Sequence, residues 1–264
     1  MSADLAVQME GVRSRRPLVH HITNYVTVND CANICICAWG SPVMTDAEDD
    51  VRDMTPVANA VVLNMGTLNP RTVEAMVLAG KVAKKNGVPV VFDPVGAGAT
   101  PYRNEVAARI ISEVGPDVIK GNAGEISFLA GFQGLVRGVD SAGSSEDMAT
   151  LVLELSKKFG CIVAATGTID YVADGKDAYV LCNGHSMQGF VSGTGCMLSS
   201  VVGTYVGANG VVVDAVVAAI SAFNIAAEKA AEGCDGPGSF KVALFDSLFK
   251  LRPEDLVSAK VSKA

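Results

Sequence analysis

Residues 70–96, PRTVEAMVLAGKVAKKNGVPVVFDPVG, read as one helix, one buried strand and one polar turn in succession. Pro70 after Asn69 marks a helix start, because proline lacks an N–H that the first helical position would leave unpaired and its φ is already set for a helix. At the other end Lys84 and Lys85 place cations on the C-terminal turn, and Asn86-Gly87 leave the helix easily. Residues 89–93 follow as a short, mostly apolar run, the pattern of a strand covered on both faces. The run closes on Asp93-Pro94-Val95-Gly96. The same pattern recurs, with strands expected at 18–23, 60–64, 118–120 and 161–165, and a helix at 144–159 that carries Glu146 and Asp147 early and Lys157-Lys158 late. Strands that alternate with helices in this way predict an α/β fold built on a mostly parallel central sheet flanked by helices.

Working outward, residues 171–173 and 178–181 flank Asp174-Gly175-Lys176-Asp177 and predict a small antiparallel hairpin, Asp-Gly being a strong turn signal. Beyond it the pattern is helical, at 196–206, 212–231 and 239–249, with a charged C-terminal tail. No repeat, low-complexity tract or linker divides the chain, so residues 1–264 read as a single domain.

The 264 residues are 49% hydrophobic and 19% charged, enough apolar material for a large core. A net charge of −7, with Lys and Arg in no long stripe, speaks against a nucleic-acid partner. Arg13, Arg15 and Arg16 form a basic knot expected at a solvated helix end. Mean hydropathy is positive, yet no run reaches the ~20 apolar residues of a membrane span, and the first twenty residues lack a secretory pattern. Seven cysteines without framework spacing suit a reducing cytoplasm. Cys31, Cys35 and Cys37 invite a metal reading, but positions i and i+4 share a helix face that i+6 leaves, so core packing is expected.

Each expected strand ends in something polar or tightly turned: Thr23-Asn24, Asn64-Met65-Gly66-Thr67, Asp93-Pro94-Val95-Gly96, Lys120-Gly121-Asn122 and Thr166-Gly167-Thr168. In a parallel sheet all five converge on one edge, where such folds bind ligands. Val191-Ser192-Gly193-Thr194-Gly195-Cys196 runs into an apolar helix, an arrangement that points backbone amides at an anion. Cys196 at that helix N-terminus is expected to have a lowered thiol pKa. Asp93 and Glu125 are the carboxylates best placed for a hard cation such as magnesium with a nucleotide, and Lys120 reads either as a phosphate neutraliser or as a solvated strand end. Neither Gly-x-x-x-x-Gly-Lys-Ser/Thr nor, after the first strand, Gly-x-Gly-x-x-Gly occurs, which excludes a P-loop enzyme and argues against a dinucleotide-binding dehydrogenase. His20 and His21 point to opposite faces of a strand, and His185 reads as structural.

His21-Ile22-Thr23-Asn24-Tyr25-Val26-Thr27-Val28-Asn29-Asp30-Cys31-Ala32-Asn33, Ser41-Pro42-Val43-Met44, Asn64-Met65-Gly66-Thr67-Leu68, Asp93-Pro94-Val95-Gly96-Ala97, Gly121-Asn122 with Glu125-Ile126, Thr166-Gly167 with Asp170-Tyr171-Val172, and Gly193-Thr194-Gly195-Cys196 come in an order that resembles the hydroxyethylthiazole kinase family from about residue 5 to about residue 250. The resemblance implies a ribokinase-like fold and a reaction in which magnesium-ATP phosphorylates the primary alcohol of 4-methyl-5-(2-hydroxyethyl)thiazole during thiamine salvage. It also implies a homotrimer with sites between subunits. By resemblance Asn24, Val26, Met44, Gly66 and Gly193 line the thiazole pocket, Lys120 and Thr166 meet ATP, and Asp93 and Glu125 serve magnesium directly or through water. Cys196 falls where related sugar kinases place an aspartate base, and it is expected to orient the alcohol and accept its proton late. Lys120 and Gly124 depart from the family pattern Arg-Gly-Asn-x-Ser-Glu; Lys keeps the charge but loses the planar fork. A hydroxymethylpyrimidine or pyridoxal-type kinase and a non-catalytic thiazole sensor remain the alternatives.

Overall fold

The computed structural model describes residues 2–131 and 145–264. Its frame is a nine-stranded sheet. In chain order the elements are α1 (Ser2–Arg15), β1 (Leu18–Ile22), α2 (Val28–Cys37), β2 (Ser41–Met44), α3 (Glu48–Met54), β3 (Ala60–Asn64), α4 (Pro70–Lys85), β4 (Val90–Asp93), α5 (Pro101–Val114), β5 (Val118–Asn122) and α6 (Ala123–Leu129). Then come α7 (Ser145–Phe159), β6 (Ile162–Thr166), β7 (Asp170–Ala173), β8 (Ala178–Leu181), α8 (Thr194–Asn209), α9 (Val213–Ala231), α10 (Pro237–Lys250) and β9 (Val261–Lys263).

The strands lie in the order β2-β1-β3-β4-β5-β6-β7-β8-β9. The first six in that order are mutually parallel, and β7, β8 and β9 are added antiparallel. Because β1 lies between β2 and β3, the order reverses there and opens a crevice at the carboxyl ends of β1 and β3. Side chains alternate across the sheet. Val61 and Leu63 of β3 join a core with α4 and α5, whereas Val62 faces the opposite core with α1, α2, α8, α9 and α10. Helices α8 and α9 are buried nearly all round, as their alanine- and valine-rich sequences require. Gly203 lets α8 lie close on the sheet: a Cβ there would come within 2.5 Å of Val62 Cγ2.

The helix expected to start at Pro70 and the strand expected to end at Asp93 form as α4 and β4. Asn69 caps α4 by accepting from the backbone of Thr72 at 3.1 Å, and Thr72 returns a hydroxyl to the Asn69 amide. The hairpin β7–β8 closes on Asp174, whose Oδ1 accepts from the backbone of Lys176 and Asp177. Boundaries shift elsewhere. Strand β1 stops at Ile22, β5 runs on to Asn122 and β6 to Thr166, and α8 extends beyond the expected 196–206 to Thr194 and Asn209. Residue 144, where a helix start was expected, lies outside the described residues.

Two strands have no forerunner in the sequence reading. Strand β2 contains Pro42 and holds the sheet edge, where a missing N–H is tolerated. Strand β9 recruits the charged tail onto β8 by backbone pairing, Val180 opposite Ser262, which side-chain pattern does not report. The basic knot is not simply solvated. Arg13 donates to the Leu251 carbonyl, and the guanidinium groups of Arg13 and Arg16 lie 4.7 and 5.4 Å from the Trp39 ring centroid, on which Phe249 also stacks at 5.2 Å. Cys31 and Cys35 are buried and Cys37 half-buried. No helix of the described residues is long and apolar enough to cross a membrane.

Candidate active site

The polar ends of β1, β3, β4 and β5 meet in one hydrogen-bonded chain beneath the N-terminus of α8. Asn24, just past β1, donates through Nδ2 to Asn64 Oδ1 at 2.9 Å and to Cys196 Sγ at 3.3 Å. Asn64, the last residue of β3, donates to Asp93 Oδ2 at 3.0 Å. Asp93 ends β4, and the same oxygen accepts from Ser199 Oγ at 2.6 Å and faces Lys120 Nζ at 3.4 Å. Lys120, on β5, also donates to the Gly195 carbonyl at 2.9 Å and to Ser199 at 3.3 Å. Asn24, Asn64, Asp93, Lys120 and Ser199 are all buried, so each polar group depends on these partners in place of water.

Lys120 is therefore no solvated strand end. Burial pulls its ammonium down, but the charges of Asp93 and Glu125 outweigh that and leave it above its ordinary value, fully protonated. Glu125 sits in the first turn of α6. Its Oε2 accepts from the Asn122 backbone at 2.7 Å, Asn122 Oδ1 accepts from the Glu125 backbone at 2.9 Å, and Oε1 reaches across to the Gly96 amide at 2.8 Å. That capping box ties the β5 turn to the β4 turn. Burial, with the Asp93 charge second, pushes the Glu125 carboxyl up.

Cys196 is the third residue of α8. The expected lowering of its thiol pKa does not hold: burial and the Asp93 carboxylate raise it, against the pull of Lys120 and the hydrogen bonds from Asn64 and Asn24. Desolvation and a neighbouring anion outweigh the helix dipole, and the thiol stays protonated at neutral pH.

Gly193 precedes α8 with φ at +87°, and a Cβ there would lie 2.1 Å from Thr27 Cγ2. Thr27 is fixed in turn by donating to Asn24 Oδ1 at 3.0 Å. Gly66 makes a similar close approach: its Cβ would meet the Asn24 side chain at 2.9 Å. Thr166, at the end of β6, donates to the Gly121 carbonyl at 3.2 Å. Asn24, Gly66, Asp93, Lys120, Glu125, Thr166, Gly193 and Cys196 thus converge on one edge. Val26 is 59% exposed, and Met44 is half-buried at the end of β2, beside His21 in register.

The family model of the Hydroxyethylthiazole kinase family matches residues 9–254. The chain belongs to that family. A hydroxyethylthiazole kinase of Methanocella arvoryzae is 50% identical over 93% of this chain and 92% of its own length. The solved structure of a hydroxyethylthiazole kinase protein from Pyrococcus horikoshii OT3 superposes with a TM-score of 0.92 at 41% identity, covering 98% of each chain. A ribokinase-like superfamily protein from Enterococcus faecalis V583, 10% identical, superposes at 0.67 over 91% of this chain and 89% of its own, a likeness of fold. The mixed sheet with its antiparallel extension is accordingly the ribokinase-like fold.

Three residues of this hydroxyethylthiazole kinase family site fell outside the sequence-based set. Asn64 was visible as a strand end and within a motif of the resemblance, with no role given to it, and Ser199 lies three residues beyond Cys196, hence on its helix face. Arg103 carried no signal. From α5 its guanidinium donates to the carbonyls of Met65 at 2.8 Å, Val95 at 2.7 Å and Gly66 at 2.9 Å, clamping the turns after β3 and β4 together. The histidines stay apart from this chemistry. His20 is held by Thr55 and Thr45, His21 bonds the Val19 carbonyl with burial lowering its pKa to about 4, and His185 caps the 3-10 turn Ser186–Phe190.

Proposed function

We propose that the chain transfers the γ-phosphoryl group of ATP to the primary alcohol of 4-methyl-5-(2-hydroxyethyl)thiazole. One observation carries the reading: the chain from Asn24 through Asn64 and Asp93 to Lys120 joins the expected alcohol pocket to the expected phosphate pocket under the N-terminus of α8. In this reading Asn24, Val26, Met44, Gly66 and Gly193 take the thiazole, Lys120 and Thr166 the nucleotide. Phosphoryl transfer passes through a loose transition state, so positioning and charge neutralisation outweigh early proton removal. The amides of Gly193 to Cys196 are suited to the charge on the moving group. A protonated Cys196 orients the alcohol with Asn24; because the thiol already carries its proton, the alcohol's proton passes late to an oxygen of the transferred phosphoryl group as the new O–P bond forms.

Asp93 and Glu125 fit a hard cation. The bonds from Ser199, Asn64 and Lys120 gather on Oδ2 of Asp93, and the Glu125 oxygens accept one amide each. A carboxylate oxygen has about two lone-pair sites, so both groups keep acceptor capacity. Among the described residues no group of three or more His, Cys, Asp and Glu forms a dedicated cage, which suits magnesium held by two carboxylates, waters and phosphates. The amides on Glu125 favour a water between it and the ion. Bound there, the ion would screen phosphate charge.

Residues 1–264 act in this reading as one cytoplasmic kinase domain. The exposed apolar Tyr25 and Val26 beside Asn24, and Phe190 ahead of Gly193, support a homotrimer whose subunits cover the site. Magnesium-dependent ADP release tests the activity. It should rise with the hydroxyethylthiazole over both the no-substrate control and the hydroxymethylpyrimidine, with phosphorylated thiazole in the mixture. Equal release in all three would refute it, and ligand binding without ADP would favour a sensor.

A further inference from the structure

A second polar chain, buried at Asp170 and Asn224 and half-buried at Gln188 and Thr194, lies beside the first and takes no direct part in it. Asp170, the first residue of β7, is 3% exposed. Its Oδ1 accepts from the Gly167 amide at 2.9 Å, which fixes the turn just beyond Thr166. Its Oδ2 accepts from Asn224 Nδ2 on α9 at 2.6 Å. Asn224 Oδ1 accepts in turn from Gln188 Nε2 at 3.3 Å, and the Gln188 carbonyl accepts from Thr194 Oγ1 at 3.0 Å. The path runs from the β6–β7 turn to the first residue of α8 and crosses three elements far apart in sequence.

The cost of this arrangement argues that it is positional. Both donors to the buried carboxylate are neutral, and burial pushes its pKa up to about 6 despite their hydrogen bonds. A buried anion satisfied by neutral donors is weak support for folding. What the carboxylate supplies is two acceptors in a fixed fork, one for each side of the site, where an amide supplies a single acceptor.

We infer that Asp170 is a positioning residue which, through Asn224 and Gln188, sets the Thr166–Gly167 turn and the Thr194 end of the phosphoryl-binding turn in one arrangement. The inference rests on Thr166 being a nucleotide contact, as proposed above. Asn24 and Gly66 are held separately by Asn64, and Gly193, although next to Thr194, is packed against Thr27, so the thiazole side has its own supports outside this network.

The test compares Asp170→Asn, the swapped pair Asp170→Asn/Asn224→Asp, and Thr166→Ala, each by KM for ATP, KM for the thiazole alcohol, kcat and Tm. In the swapped pair an amide at 170 accepts from Gly167 and donates to a carboxylate at 224, which also accepts from Gln188, so every bond of the path is retained. Asp170→Asn should raise KM for ATP about tenfold or more and lower kcat, as expected for losing one hydrogen bond to a charged group, with KM for the thiazole alcohol within about twofold. The swap should bring KM for ATP back to within about threefold of wild type. An unchanged KM for ATP in Asp170→Asn, while Thr166→Ala raises it, overturns the inference alone. An unchanged value in Thr166→Ala overturns the nucleotide contact, and the inference with it. If Asp170→Asn melts below the assay temperature, the swapped pair decides: near-wild-type KM for ATP supports the network, and a tenfold rise at wild-type Tm overturns it.

Discussion

Replacing Lys120 by Met tests the charge pair at the centre of the site, because the apolar chain fills similar volume and removes the ammonium together with its bonds to the Gly195 carbonyl and Ser199. The nitrogen lies 3.4 Å from Asp93 Oδ2, with both side chains buried. At that separation Coulomb's law with an effective dielectric constant of about 20 gives an attraction of about 5 kcal/mol, against which the desolvation of both groups must be set. Once the pair is broken, desolvation of Asp93 is still incurred and the attraction is gone, so Lys120→Met should destabilise the fold by about 3–5 kcal/mol. For a chain of this size that lowers Tm by roughly 6–20 °C. Lys120→Met/Asp93→Asn should recover most of the loss, since it removes both charges and leaves Asn64 and Ser199 to hold an amide at 93. Thermal melting at pH 7 of wild type, both single variants and the double variant closes the cycle. A single-variant loss below about 1 kcal/mol, or a double variant whose loss is the simple sum of the singles, would refute the claim that the two groups support each other.

Alkylation of Cys196, followed by peptide mass spectrometry in the metal-free protein, should be slow at pH 7 and still rise with pH above pH 9, because burial and Asp93 raise the thiol; a midpoint below pH 8 would contradict that electrostatic account. Gly193→Ala should cost at least the roughly 1–2 kcal/mol of a left-handed non-glycine residue, with a further clash against Thr27 Cγ2. Adding Thr27→Ser, which lacks that methyl, should return part of the lost Tm, and no recovery would place the strain elsewhere. The folded pKa of Asp170 is raised to about 6, so its contribution to stability is fully present below the unfolded carboxylate value and is lost as pH rises to about 6. The difference in unfolding free energy between wild type and Asp170→Asn should therefore change by about 2 kcal/mol between pH 4 and pH 7; a flat difference by denaturant titration would count against the burial of that carboxylate.

Much of the architecture was legible because its signals are local. The Pro-started, Lys-ended α4, the doubly apolar β3 and β4, and the Asp-Gly hairpin each follow from the covalent chemistry of a few neighbouring residues. Strand β2 was hidden by its proline, and β9 by its three-residue length and by resting on backbone pairing with β8. In the site, Asp93, Lys120, Glu125 and Cys196 were visible as polar residues at strand ends or at a helix entrance. Arg103 was not, because an arginine in the first turn of a helix reads as surface charge until two distant turns offer it their carbonyls.

The sequence by itself determined the alternation of strands and helices, the edge on which function would gather and the family, since these depend on residue order and short-range preference. Only the tertiary structure decided the states of the groups at that edge. Lys120 is an internal cation and Cys196 a protonated thiol because of what surrounds them: Asp93 keeps the ammonium charged and opposes a thiolate, and burial removes the water that would have weakened both effects. Such energies depend on separations of a few ångströms between residues as far apart in the chain as Asn24 and Cys196, and no local pattern encodes them.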